Sequence, residues 1–200
     1  TGQRISHVVV MGTGEPFDNY ENLAQFIRII NDPNGLNIGM RNITVSTCGL
    51  APMIARFAED FPQVNLAISL HAVSNEMRDE IMPVNKAYPM ETLLSACRDY
   101  IQKTARRITF EYTLVKGVND SPEHAKKLAS QLRGILCHVN LIPLNKVKET
   151  GYDTTERGAV LRFQQALTDC GIPATIRREL GDDIDAACGQ LRLSEKESKA

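Results

Sequence analysis

The stretch His7-Val8-Val9-Val10-Met11-Gly12-Thr13-Gly14-Glu15-Pro16 constrains this chain more than any other. Val8 to Met11 form an apolar run too short for a helix and rich in β-branched residues, which predicts a strand buried on both faces. Gly12 and Gly14 let the backbone bend or a ligand come close. Pro16 has no N–H and cannot extend a ladder. Glu15 is thereby a carboxylate delivered to the carboxyl end of a strand, the end at which α/β folds bind ligands. A solvated surface turn would read the same way, so the rest of the chain has to decide.

The remaining pattern alternates between strand and helix. Asn19 is a candidate N-cap for a helix bearing Leu23, Phe26, Ile27 and Ile30, which Asp32-Pro33-Asn34-Gly35 stops. Strands are expected over 42–47, 65–70, 107–114, 137–143 and 174–178. Between them fall a short helix with Met53, Ile54 and Phe57 on one face, a polar helical turn over 75–81, and a longer helix marked by Met90, Leu93, Leu94, Cys97 and Ile101. Asp120-Ser121-Pro122-Glu123 opens another helix, with Ser121 as cap and Pro122 in the first turn. Val160, Phe163 and Leu167 belong to the last. Alternating βα units make the class α/β with a parallel sheet. Gly12-Thr13-Gly14 lacks a third glycine, so the dinucleotide fingerprint fails. A parallel barrel, whole or partial, is preferred to a doubly wound sheet.

The 200 residues, 42% of them hydrophobic, suit one domain with a real core. A net charge of −1 means that any nucleic-acid contact would need a local patch. Five scattered cysteines fit free thiols in a reducing cytoplasm better than a disulfide framework. No apolar run reaches membrane-spanning length. The first residue is Thr1 and a strand follows almost at once, so the chain reads as a piece of a longer protein.

Three constellations carry chemistry. Polar residues close successive strands: Glu15, Ser46, Ser69 with His71, and Asn145. In a parallel barrel these ends share one mouth. A carboxylate, hydroxyls, an imidazole and an amide suit a small zwitterionic, hydroxyl-rich ligand better than a bare metal. Cys188 is the second, in Ala186-Ala187-Cys188-Gly189-Gln190, where small neighbours would let it approach a substrate. The acids Asp182, Asp183 and Asp185 would raise its pKa, so activation would have to come from elsewhere. The third is basic: Lys103, Arg106 and Arg107 before a strand, Lys146 and Lys148 in a strand-end loop, and Arg177 with Arg178 before the tail. Lys146, Lys148 and the Arg177 pair would lie near the mouth, where a phosphate backbone could be held.

These residues resemble a known family, the bacterial radical S-adenosylmethionine adenine-C2 RNA methyltransferases, or RlmN family. The resemblance runs from Met11-Gly12-Thr13-Gly14-Glu15-Pro16-Phe17-Asp18-Asn19-Tyr20 through Ser46-Thr47-Cys48-Gly49, Ser69-Leu70-His71-Ala72 and Phe110-Glu111-Tyr112. It continues in Gly117-Val118-Asn119-Asp120-Ser121 and Pro143-Leu144-Asn145, and ends in Gly181-Asp182-Asp183-Ile184-Asp185-Ala186-Ala187-Cys188-Gly189-Gln190-Leu191.

The resemblance implies a partial (βα)6 barrel over 1–192, with 193–200 a charged tail expected to be disordered. It implies S-adenosylmethionine and a [4Fe–4S] cluster as cofactors, and 2-methyladenine in 23S rRNA, and in some members tRNA, as product. A cytoplasmic protein without membrane contact is expected, a monomer being favoured though the sequence does not give the oligomeric state. Gly14, Glu15, Ser46, Ser69, Leu70, His71 and Asn145 match the family's cofactor contacts. Cys188 matches the cysteine that is methylated and then carries a methylene to the adenine. The family's Cys-x3-Cys-x2-Cys cluster motif, the resolving cysteine that would form a disulfide, and an acid thought to act as base lie upstream of the Gly-Glu-Pro strand. They do not occur in this sequence, so the chain by itself is expected to be inactive. A sister family methylates C8 of the same adenine and shares the cysteine tail. Two other readings stand beside these: a cluster-free barrel lyase or aldolase, which would need a Schiff-base lysine or a metal, and a non-catalytic RNA-binding barrel.

Overall fold

The computed structural model describes residues 4–12, 14–144 and 153–177. Six strands form one sheet in strict chain order: β1 (Val8–Val10), β2 (Ile43–Thr47), β3 (Asn65–Ser69), β4 (Ile108–Leu114), β5 (Cys137–Pro143) and β6 (Ala174–Ile176). Every neighbouring pair is parallel. The crossovers carry α1 (Tyr20–Asn31), α2 (Ala51–Asp60), α3 (Asn75–Ile81), α4 (Met90–Thr104), α5 (Pro122–Leu132) and α6 (Arg157–Asp169). Right-handed crossovers between strands in sequential order put all the helices on one face, and strand twist curls the sheet into part of a barrel.

The strands sort their side chains accordingly. Val45, Ile68, Phe110, Tyr112, Val139 and Leu141 point to the helices and join one core with Leu23, Ile27, Ile54, Phe57, Leu93, Leu128 and Phe163. The alternate positions, among them Thr44, Ser46, Ser69, Glu111, Asn140 and Thr175, face the inside of the part-barrel and are polar. The α5 start is as expected, since Ser121 Oγ accepts from His124 N at 3.3 Å and Pro122 opens the helix.

Two expectations are corrected. The first strand is not buried on both faces: it spans three residues at the sheet edge, and Val9 is 63% exposed. An apolar run does not reveal whether a neighbouring strand exists to cover it. Asn19 sits before α1 without capping it through its side chain, because its Oδ1 accepts from Asn22 Nδ2 at 2.6 Å instead. The capping is done one turn earlier by Glu15, whose Oε1 accepts from Phe17 N at 3.0 Å at the start of a 3-10 turn over Pro16–Asn19.

Candidate functional site at the carboxyl ends of the strands

All strands run the same way, so the segments after them meet at one end, and side chains tie each segment to the next. The Glu15 carboxylate joins the first to the second: its Oε2 accepts from Cys48 N at 2.7 Å while Oε1 holds Phe17 N. Gly14 precedes it at φ +112°, a conformation that L side chains rarely adopt. Burial first, and then the Glu15 carboxylate, push the Cys48 thiol up to about 12.

Arg78 of α3 joins the second segment to the third. Its guanidinium is fully buried and donates to Cys48 O at 2.6 Å, Ser69 O at 3.2 Å, Leu70 O at 3.2 Å and Asn85 Oδ1 at 3.0 Å. Gly49 has to be glycine in this knot: at φ +108°, an added Cβ would sit 3.0 Å from Leu93 and 3.3 Å from Arg78.

His71 joins the third segment to the fourth. It adopts the left-handed region at φ 56°, uncommon for a non-glycine residue. Three partners hold it there. Its N–H donates to Glu111 O at 3.3 Å, its carbonyl accepts from Asn119 Nδ2 at 3.0 Å, and its Nδ1 accepts from Thr113 N at 3.1 Å. A backbone N–H can only donate, so Nδ1 is unprotonated and the neutral ring carries its proton on Nε2. Burial, and then the Arg78 charge, hold its pKa down to about 4. His71 therefore offers a hydrogen-bond donor at neutral pH rather than a charge.

Asn119 is the matching knot after β4. It donates to Thr113 O at 2.8 Å as well as to His71, and accepts from Val115 N at 2.7 Å. The fourth and fifth segments are linked by a bridge between Val115 and Thr154, and by Thr154 Oγ1 donating to Leu144 O at 2.8 Å.

Gly14, Glu15, Ser46, Ser69, Leu70 and His71 thus lie at one end of the sheet. Asn145 and Cys188 lie outside the described residues, as do Lys146, Lys148, Arg178 and the 193–200 tail. Leu70 is fully buried, which limits it to main-chain contact. The cluster of Lys103, Arg106 and Arg107 precedes β4 and sits at the opposite end, where Lys103 pairs with Glu59 at 2.6 Å and Arg106 with Asn65. Arg78 and Asn119 escaped the sequence reading as supports, because an arginine in a polar helical turn and an asparagine in a loop carry no local mark of burial.

The donors and acceptors fit an amino acid joined to a nucleoside. Glu15 keeps spare lone pairs on both oxygens, Ser46 and Ser69 have hydroxyls with no partner among the described residues, and His71 supplies a donor. The fit to a metal cluster is absent: among the described residues no three His, Cys, Asp or Glu side chains converge. Cys48, Cys97, Cys137 and Cys170 are free thiols. No described helix is long and apolar enough to cross a membrane.

Comparison with known proteins adds to this. Residues 2–129 match the model of the radical SAM superfamily. The chain is 58% identical over 189 residues to a probable dual-specificity RNA methyltransferase RlmN from Caldanaerobacter subterraneus, covering 94% of this chain and 55% of that one. It is 57% identical over 199 residues to the protein of the same name from Geobacillus kaustophilus, covering all of this chain and 54% of that one. The chain therefore spans about half the length of the curated relatives it matches. A crystal structure of a radical SAM methyltransferase from Sphaerobacter thermophilus superposes with a TM-score of 0.91 at 50% identity, covering 94% of this chain and 55% of that one.

Proposed function

The chain belongs to the radical SAM superfamily and, within it, to the RlmN family, and from that premise we propose that it is the catalytic barrel of an enzyme that forms 2-methyladenine in 23S rRNA and in tRNA. The observation that carries the reading is the series of hydrogen bonds linking successive strand-end segments at the end of the sheet where Glu15, Ser46, Ser69 and His71 lie. The "dual-specificity RNA methyltransferase" named for the relatives supports the two RNA substrates.

Bound at that end, S-adenosylmethionine supplies the methyl group. Glu15, with its outward lone pairs, faces the ammonium of the methionyl part. Ser46, Ser69 and the His71 Nε2–H hold its polar groups, and Leu70 shapes the wall through its main chain. Asn145, which follows the fifth strand in sequence, is the remaining cofactor contact in this reading. Cys188, as a thiolate, would take the methyl group on sulfur with S-adenosylhomocysteine as the leaving group, and the radical chemistry and second thiol needed to pass that carbon to C2 of the adenine would come from outside this chain. The described residues do not fit the iron–sulfur cluster, whose ligands would have to come from elsewhere in the longer protein.

The test is mass spectrometry of RNA and protein from the full-length enzyme incubated with methyl-labelled S-adenosylmethionine. Label appears in 2-methyladenosine and on Cys188. Cys188→Ala abolishes the RNA product while S-adenosylmethionine still binds. Labelled RNA from the Ala variant would defeat the methyl-carrier role, and label in 8-methyladenosine would transfer the protein to the sister activity.

A further inference from the structure

One carboxyl group in the barrel interior has no part in the site as described. Glu111 lies in the middle of β4, a strand whose alternate residues Phe110 and Tyr112 are fully buried against the helices. Tyr112 stacks on Phe163 of α6 with ring centroids 5.3 Å apart, which fixes the helix-facing side of the strand and turns Glu111 to the inside. Register places it in a row of four polar residues from adjacent strands: Ser69, Glu111, Asn140 and Thr175. The row begins at Ser69, so it forms a floor continuous with the mouth.

Glu111 is 5% exposed. Asn140 Nδ2 donates to its Oε2 at 2.8 Å, while Oε1 accepts nothing from the described residues. Burial raises the Glu111 pKa, against which the Asn140 bond and the charge of Arg177 act, and a buried carboxylate with one hydrogen bond still costs more than an apolar residue of similar shape. The main chain of Glu111 already serves the site, since its carbonyl accepts from Leu70 N at 3.1 Å and His71 N at 3.3 Å. The side chain is not needed for that.

We propose that Glu111 and Asn140 form a ligand-binding pair that takes the hydroxyl donors of a nucleoside ribose. Glu111 and Asn140 are paired in register on neighbouring strands, and the Nδ2–Oε2 bond between them leaves Oε1 of Glu111 and Oδ1 of Asn140 as acceptors. A ribose cis-diol presents two neighbouring hydroxyl donors, which suit a pair of adjacent acceptors. The Asn140 amide fixes which carboxyl oxygen is left for the ligand. The inference rests on the proposed function for its ligand class, and the ribose belongs either to S-adenosylmethionine or to the target nucleotide of the RNA.

The test uses the full-length protein and measures equilibrium binding, with no turnover required. One arm compares S-adenosylhomocysteine with its 2′,3′-dideoxy analogue. The other compares an RNA hairpin carrying adenosine at the target with one carrying 2′-deoxyadenosine. Wild type prefers the hydroxylated ligand in one arm by about tenfold, as expected for hydrogen bonds to a charged group. Glu111→Gln and Asn140→Ala collapse that preference towards unity while the hydroxyl-free ligand binds as before. The arm in which the preference collapses identifies the source of the ribose. A preference unchanged in both variants, or absent from wild type, overturns the proposal. A wild type that binds neither the nucleosides nor the RNA defeats the proposed function itself.

Discussion

The two sides of the candidate site are built differently. At the centre, β4 and β5 pair over seven residues each, and the site residues next to them are held by main-chain atoms and by the buried side chains of Arg78 and Asn119. At the rim, β1 pairs over three residues with β2 alone, and Val9 and Ile5 are more than 60% exposed. A cavity of about 380 Å³ opens there between the end of β1 and α1, lined by Val10, Gly14, Glu15 and Phe26 among others. At the rim the Glu15 carboxylate bonds across to Cys48, and Arg4 ties the start of the segment to the Leu36 and Asn37 carbonyls. The centre is therefore preorganised by the core, whereas the rim depends on a neighbouring segment, so equal chemistry at the two sides rests on unequal stability.

The largest expected effect breaks the centre. Arg78→Met keeps the bulk of the side chain and deletes its donors, leaving Cys48 O, Ser69 O and Leu70 O short of partners. Each buried acceptor left unsatisfied costs about 1–3 kcal/mol, so urea unfolding should show a loss on the order of 3–5 kcal/mol. A loss below about 1 kcal/mol would mean that water replaces the guanidinium and that the centre is no more preorganised than the rim.

The next effect comes from His71. Its folded pKa, about 4, lies below the ordinary value of 6.5. The unfolded chain therefore binds the extra proton first, and stability falls as the pH drops below about 6.5, levelling off near 4. The contribution is fully present above that window. Between pH 7 and pH 5 the loss is about 2 kcal/mol, seen as a lower urea midpoint. His71→Asn should flatten that part of the curve. A midpoint that does not change over this range would show that the ring is solvated and that the site end is looser than its hydrogen bonds suggest.

The same contrast explains what the sequence could and could not convey. Cys137–Pro143 and Asn75–Ile81 are read with their observed bounds, since an alternating stretch closed by a proline and a polar helical turn are local signals. The meeting of Glu15, Ser46, Ser69 and His71 follows from topology once all strands are parallel, so it too is legible. The exposure of Val9 is not, because it depends on what pairs with the strand and not on the strand itself. Nor is the burial of Arg78, three of whose four partners are main-chain carbonyls up to 30 residues away that any sequence would provide. The neutral tautomer of His71 needs the position of Thr113 N, 42 residues on, which no local pattern reports.

The smallest effect belongs to the edge. Val9 faces the barrel interior from the sheet's outermost strand, and burial contributes to stability only in proportion to the apolar area removed from water. Val9→Lys removes little buried area in this chain and keeps the backbone pairing with Thr44. Its unfolding free energy should stay within about 0.5 kcal/mol of wild type. Solubility should rise, because a charged residue blunts an open strand edge against pairing with a second molecule. The longer protein gives the opposite expectation if another strand covers β1 there. A lysine would then be buried without a partner, and the same substitution should cost several kcal/mol. Measuring Val9→Lys in both contexts compares the edge as it stands with the edge as the relatives' greater length allows it to be covered. A neutral result in both would leave β1 a true edge of the barrel, whereas a penalty confined to the longer protein would show that the rim of the site is completed from outside this chain.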